Sequence, residues 1–142
     1  MSYEEVTAEI NELRARLSKK KSEFIIAKEN VDELKSLLSD FDKNNVDFDE
    51  KGYKKVLSAF ESGDYVGAKT LSDAAISNSK TKFSDMEEAK RSLEHLENVI
   101  KHLESSKLKY DQESYDSAKS EFKSGNYSAS KSISDSAIKD AE

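Results

Sequence analysis

His95 and His102 are the only imidazoles in the chain, and they fall seven residues apart on one helical segment. Seven residues is two helical turns, roughly 10 Å of rise. That is too far for one metal ion without ligands between them, and Glu94, Glu97 and Asn98 do not complete an i, i+4 set. The residues 62 positions earlier are Glu33 and Asp40, so no imidazole recurs. With no Cys there is no thiolate nucleophile, zinc thiolate or disulfide. The 29 carboxylates pair often by chance, but no Glu-x-x-His, His-Glu-x-x-His or Gly-rich phosphate loop occurs. Nor do two histidines on a polar face make a Ser-His-Asp arrangement. The expectation is therefore no catalytic residue, no metal and no cofactor.

What the spacing does show is a duplication. Tyr53 recurs as Tyr115, Phe60 as Phe122, Ser62-Gly63 as Ser124-Gly125 and Tyr65 as Tyr127, always 62 residues on. Lys69, Ser72-Asp73 and Ala75-Ile76 recur as Lys131, Ser134-Asp135 and Ala137-Ile138. A gapless register of this kind marks supersecondary units that stack to share a core. Lys69 and Asp73, like Lys131 and Asp135, are spaced to form i, i+4 ion pairs on a helix surface, with a row of partner contacts as the sharper reading. The duplicated aromatics read as packing between helices.

Charged residues make up 37% of the chain and hydrophobic ones 35%, and there is no Pro among the 142 residues. Pro is the usual helix breaker, so this composition with periodic apolar residues favours thin helices. The net charge of −6 argues against nucleic-acid binding, which needs a dense basic face. Lys19-Lys20-Lys21 is the only basic run, and it reads as a solvated helix face. No apolar run reaches the length of about 18 residues that a membrane span needs. The start, Met-Ser-Tyr-Glu-Glu, is acidic and unlike a signal peptide, which makes the cytoplasm the expected compartment.

The first helix reads from about residue 3 to about 43. Val6, Leu13, Ala27, Leu34 and Phe41 share one heptad position, which Lys20 interrupts; Ile10, Leu17, Phe24, Val31 and Leu38 share the other. Alternating spacings of three and four are a coiled-coil seam. Asp49 then reads as an N-cap, with Phe48 and Tyr53 placed for a hydrophobic staple, and Tyr110, Asp111 and Tyr115 repeat the device. Gly63 and Gly125 end these second helices, and Asp64 and Asn126 cap the next ones. A third helix is expected from about 65 to about 79, burying Ala68, Leu71, Ala75 and Ile76. Ser84 and Glu87 read as a capping box opening a fourth, the alternative being one helix running through 78–85. The fourth helix then lacks a counterpart for about twenty N-terminal residues of the first.

The expected fold is all-α: two three-helix units, six helices in all, with a long coiled-coil-like N-terminal helix. The expected boundaries are an arm at 1–21 and repeats at 22–82 and 83–142. Ile10, Leu13 and Leu17 continue the apolar stripe along the arm and are the expected partner-binding residues.

The hairpin turns resemble those of tetratricopeptide repeats. Gly63, Asp64, Tyr65, Ala68, Ala75 and Ile76 fit that pattern, as do Gly125, Asn126, Tyr127, Ala137 and Ile138, with Ser130 in place of the small Ala. The family's Trp/Leu-Gly pattern and closing Pro are missing, and the period is 62 rather than about 34. The resemblance covers about half the chain and implies a groove that binds peptides or helices. A spectrin-like or other coiled-coil bundle is the rival architecture. The expected function, read from the apolar stripe of the arm, is a non-enzymatic adaptor or scaffold that meets a protein partner, or itself, through the N-terminal helix. The alternative function is a self-assembling coiled-coil spacer.

Overall fold

The first helix is unbroken for 41 residues, as α1 (Tyr3–Lys43) of a computed structural model that describes residues 2–141. A capping box starts it. Ser2 Oγ accepts from the Glu5 amide at 3.2 Å, and Glu5 Oε2 accepts from the Ser2 amide at 3.4 Å. Asn45, at φ 55°, follows its end.

Asp49 caps α2 (Glu50–Glu61) by accepting from the Gly52 amide at 3.0 Å. The Phe48 and Tyr53 rings meet edge-on at 6.1 Å, which completes the staple. A Schellman motif closes α2: the Asp64 amide donates to the Ala59 carbonyl, and the Gly63 amide to that of Phe60. Gly63 has φ +84° with open space where a Cβ would sit, so the left-handed backbone alone asks for glycine there. Asp64 then caps α3 (Tyr65–Ser105) through the Gly67 amide at 2.9 Å.

This helix corrects the six-helix expectation. Among the described residues there are five helices, because α3 runs through 78–85 without a break. Ser84 is helical and caps nothing. The reason is local: 78–85 contain neither Gly nor Pro, and Ser, Thr, Asn and Asp each cost a helix less than about 1 kcal/mol relative to Ala. The chain finishes with α4 (Gln112–Lys123), capped by Asp111, and α5 (Tyr127–Ala141). The α2–α3 turn recurs between α4 and α5, with Gly125 at φ +83°. Helix bounds thus repeat at the 62-residue shift: α3 has the 41-residue length of α1, and α4 the 12-residue length of α2.

The chain divides into two compact units, one of residues 1–43 with 48–79 and one of 44–47 with 80–142. In the first, Val31, Leu34, Val56 and Ile76 form the core, with Leu37, Phe48, Tyr53 and Phe60 packed around it. In the second, Leu96, Ile100, Ala118 and Ile138 form the core, with Tyr110, Tyr115 and Ile133 around it. The N-terminal part of α3 differs from expectation in one residue: Leu71 is exposed and Ser72 is fully buried in its place.

Serines therefore enter both cores, and they are not equally served. In the first unit Ser72 Oγ accepts from Asn30 Nδ2 at 3.0 Å and donates to the Lys69 carbonyl at 3.0 Å. Its counterpart Ser134 is just as buried, but its Oγ has no hydrogen-bond partner. The position of Asn30 is taken by Ser92 in the second unit. A buried hydroxyl without a partner costs about 1–3 kcal/mol. Ser134→Ala is expected to raise stability by about 1 kcal/mol, whereas Ser72→Ala lowers it. Urea midpoints of the two variants with unchanged slopes check this, and a drop for Ser134→Ala means that a hydroxyl partner exists.

Candidate interaction surface

The apolar seam of α1 changes environment along its length. Ala27, Val31 and Leu34 are 0%, 4% and 0% exposed, while Ile10, Leu13 and Leu17 are 45%, 54% and 61% exposed. Val6 and Tyr3 extend the exposed stretch. The change comes at Phe24, whose ring stacks on Phe60 at 5.5 Å and meets Tyr65 edge-on at 5.2 Å. Lys20, the charged residue in the seam, sits with Nζ 6.0 Å from the Tyr65 ring centroid. All three sequence-predicted partner-binding residues thus lie on one face of one helix, ahead of the point where the body covers the stripe. Around them Glu12 and Arg16 form an exposed ion pair at 2.7 Å.

Sequence reasoning missed what the continuity of α3 makes plain. The arm does have a counterpart, in the first part of α3 and in α5. At the seam positions α3 carries Ala68, Ser72, Ala75 and Ser79, and α5 carries Ser130, Ser134, Ala137 and Ala141. The arm carries Val6, Ile10, Leu13 and Leu17. Small residues let helices approach closely, and Ala68, Ser72, Ser130 and Ser134 are fully buried in their units. Large aliphatic residues fill the seam of a two-helix coiled coil. The signal was present in the 62-residue register, but a parse that broke α3 hid it.

The chemistry-bearing residues are dispersed. His95 and His102 are exposed, and among the described residues no cluster of three or more His, Asp or Glu could hold a metal ion. Lys69–Asp73 and Lys131–Asp135 form ion pairs of 2.7 Å each. The Lys69 ammonium, then the Asn30 amide, hold the Asp73 carboxyl below its usual range. Lys131 does the same for Asp135, aided by Ser92. Tyr115 donates to Glu97 at 2.9 Å, and burial, followed by that hydrogen bond, pushes its hydroxyl up to about 12. A phenol held protonated in this way is a structural donor. The second unit also has a cavity of about 350 Å3, whose lining includes Leu96, Val99, Leu103 and Tyr110. Asp111 borders it, but its carboxylate is committed to the Ser114 amide and hydroxyl.

Comparison with protein-family models, with curated proteins and with solved structures gave no match. Among the described residues no helix is long and apolar enough to cross a membrane.

Proposed function

We propose that this protein is a non-enzymatic interaction module that presents a bare helical arm from a duplicated helical body, with the cytoplasm as its working compartment. The observation that carries this reading is the seam of α1, buried at Ala27, Val31, Leu34 and Phe41 and exposed at Val6, Ile10, Leu13 and Leu17. An apolar stripe flanked by charge on a preformed helix is how helices recognise helices, and Ile10, Leu13 and Leu17 stand at the i, i+3 and i+7 anchors of that mode. Large residues at positions where α3 and α5 carry Ala and Ser support a partner helix over a third bundle helix. The hairpins, with their tetratricopeptide-like turns, would then act as the body that displays the arm. The alternative is a self-assembling coiled-coil spacer.

Replacing Leu13 and Leu17 together by Asp tests the reading. Desolvating carboxylates at the centre of a seam is prohibitive, so association through the arm is expected to be lost. Both residues are exposed, so the unfolding midpoint of the body, measured at a dilution where the arm is unpaired, should stay where it is. Pull-down with the intact and the doubly substituted chain, run beside an unfolding curve, checks both halves. A partner retained at full yield by the Asp variant places the interface elsewhere.

A further inference from the structure

The charges of the exposed arm favour one register and one orientation for pairing with itself. Counting the seam from the buried part of α1 places Tyr3, Ile10, Leu17 and Phe24 at a positions, and Val6, Leu13, Lys20 and Ala27 at d positions. The flanking e positions hold Thr7, Arg14 and Lys21, and the g positions Glu9, Arg16 and Glu23.

Parallel pairing of two arms meets two obstacles. It sets Lys20 against Lys20 in the seam, and Arg16 against Lys21 of the other copy on each side, which offsets its one favourable flanking pair, Glu9 with Arg14. Antiparallel pairing that opposes residue i to residue 23 − i removes both. Val6 then faces Leu17 of the other copy, Ile10 faces Leu13, and Tyr3 faces Lys20. Every exposed apolar seam residue is used, and no like charges face each other. Glu9 lies beside Arg16 of the other copy, twice by symmetry.

The length of the bare segment also fits. From Tyr3 to Lys20 is about 27 Å of helix. Each copy's Tyr3 stops opposite the other's Lys20, one turn short of Phe24, where Phe60 and Tyr65 already cover the stripe. The capping box at Ser2 and Glu5 starts the helix at the residue where this pairing begins.

We infer that the arm binds a second copy of this chain, as an antiparallel two-helix coiled coil of residues 3–20 centred between Asn11 and Glu12. This rests on the reading of the arm as the interaction surface. A two-helix contact of this length is short, and its affinity comes from the four aliphatic residues on each copy.

The test uses the full chain. Sedimentation equilibrium is expected to show twice the 16.0 kDa monomer mass, and only 16.0 kDa for Leu13→Asp/Leu17→Asp. Orientation is read from disulfide trapping, which is clean because the chain has no Cys. Tyr3→Cys and isotope-labelled Lys20→Cys are mixed in a redox buffer. The mixed 3–20 disulfide is expected to exceed the 20–20 disulfide at least tenfold. Removing Lys20 also removes the main obstacle to parallel pairing, so scarcity of the 20–20 product is a stringent result. A dimer that traps 20–20 and 3–3 disulfides overturns the antiparallel inference and leaves the arm as the interface. A chain that stays monomeric to about 1 mM, an affinity weaker than roughly 4 kcal/mol, overturns self-association. Arm-dependent capture of a different protein then still decides the broader reading.

Discussion

Leu34→Ala is expected to destabilise the first unit by about 2–5 kcal/mol, the usual range for truncating a buried leucine. Leu13→Ala, at the same heptad position three heptads earlier on the same helix, is expected to stay within about 0.5 kcal/mol of the parent. The two residues share type, helix and seam position. They differ in cover: Leu34 is fully buried in a core with Val31, Val56 and Ile76, while more than half of Leu13 is in solvent. A small helical unit has little stability to spare, so the first change should shift the urea midpoint substantially. Measurement at low concentration matters, because a paired arm would bury Leu13. If Leu13→Ala shifts the midpoint increasingly as concentration rises, the missing cover comes from another chain, which is the reading proposed above. If it shifts the midpoint as much as Leu34→Ala even at high dilution, the arm is folded against its own chain and does not serve as a docking surface.

The seam was legible because heptad spacing is a property of residue order, and α1 has the bounds the spacing predicts. The caps and turns were legible for the same reason: Asp49, Asp111, Gly63 and Gly125 act through backbone groups within a few residues of themselves. What residue order did not disclose was whether a polar stretch breaks a helix. Ser79, Thr81, Ser84 and Asp85 look like a linker, yet each weakens a helix only slightly. Burial of Ser72 in place of Leu71 was equally hidden, since a serine core position depends on how closely helices approach. For the interaction surface, the stripe was readable but its cover was not. That cover begins at Phe24 because Phe60 and Tyr65, 36 and 41 residues away, fold back onto it.

Thr81→Pro puts the continuity of α3 to the sharpest test. Thr81 is exposed and helical, midway between Ile76, in the core of the first unit, and Met86, buried in the second. Proline there removes the amide that reaches back to the Ser77 carbonyl, crowds that carbonyl with its ring, and pushes Lys80 out of the α region. The expected cost is about 3 kcal/mol, with a loss of helical circular dichroism that extends beyond the substituted turn. Thr81→Ala is the control. Alanine is the better helix former, so this change should raise stability by a few tenths of a kcal/mol. In a loop, by contrast, both variants would sit near the parent, since no helical hydrogen bond is there to lose. The sign difference between the two variants is therefore more informative than either alone, because a general sensitivity of position 81 would move both in the same direction. It also bears on the arm. Only a continuous α3 places Ala68, Ser72, Ala75 and Ser79 in register with Val6, Ile10, Leu13 and Leu17 on helices of equal length. That register is what marks the large residues of the arm as a departure from bundle packing.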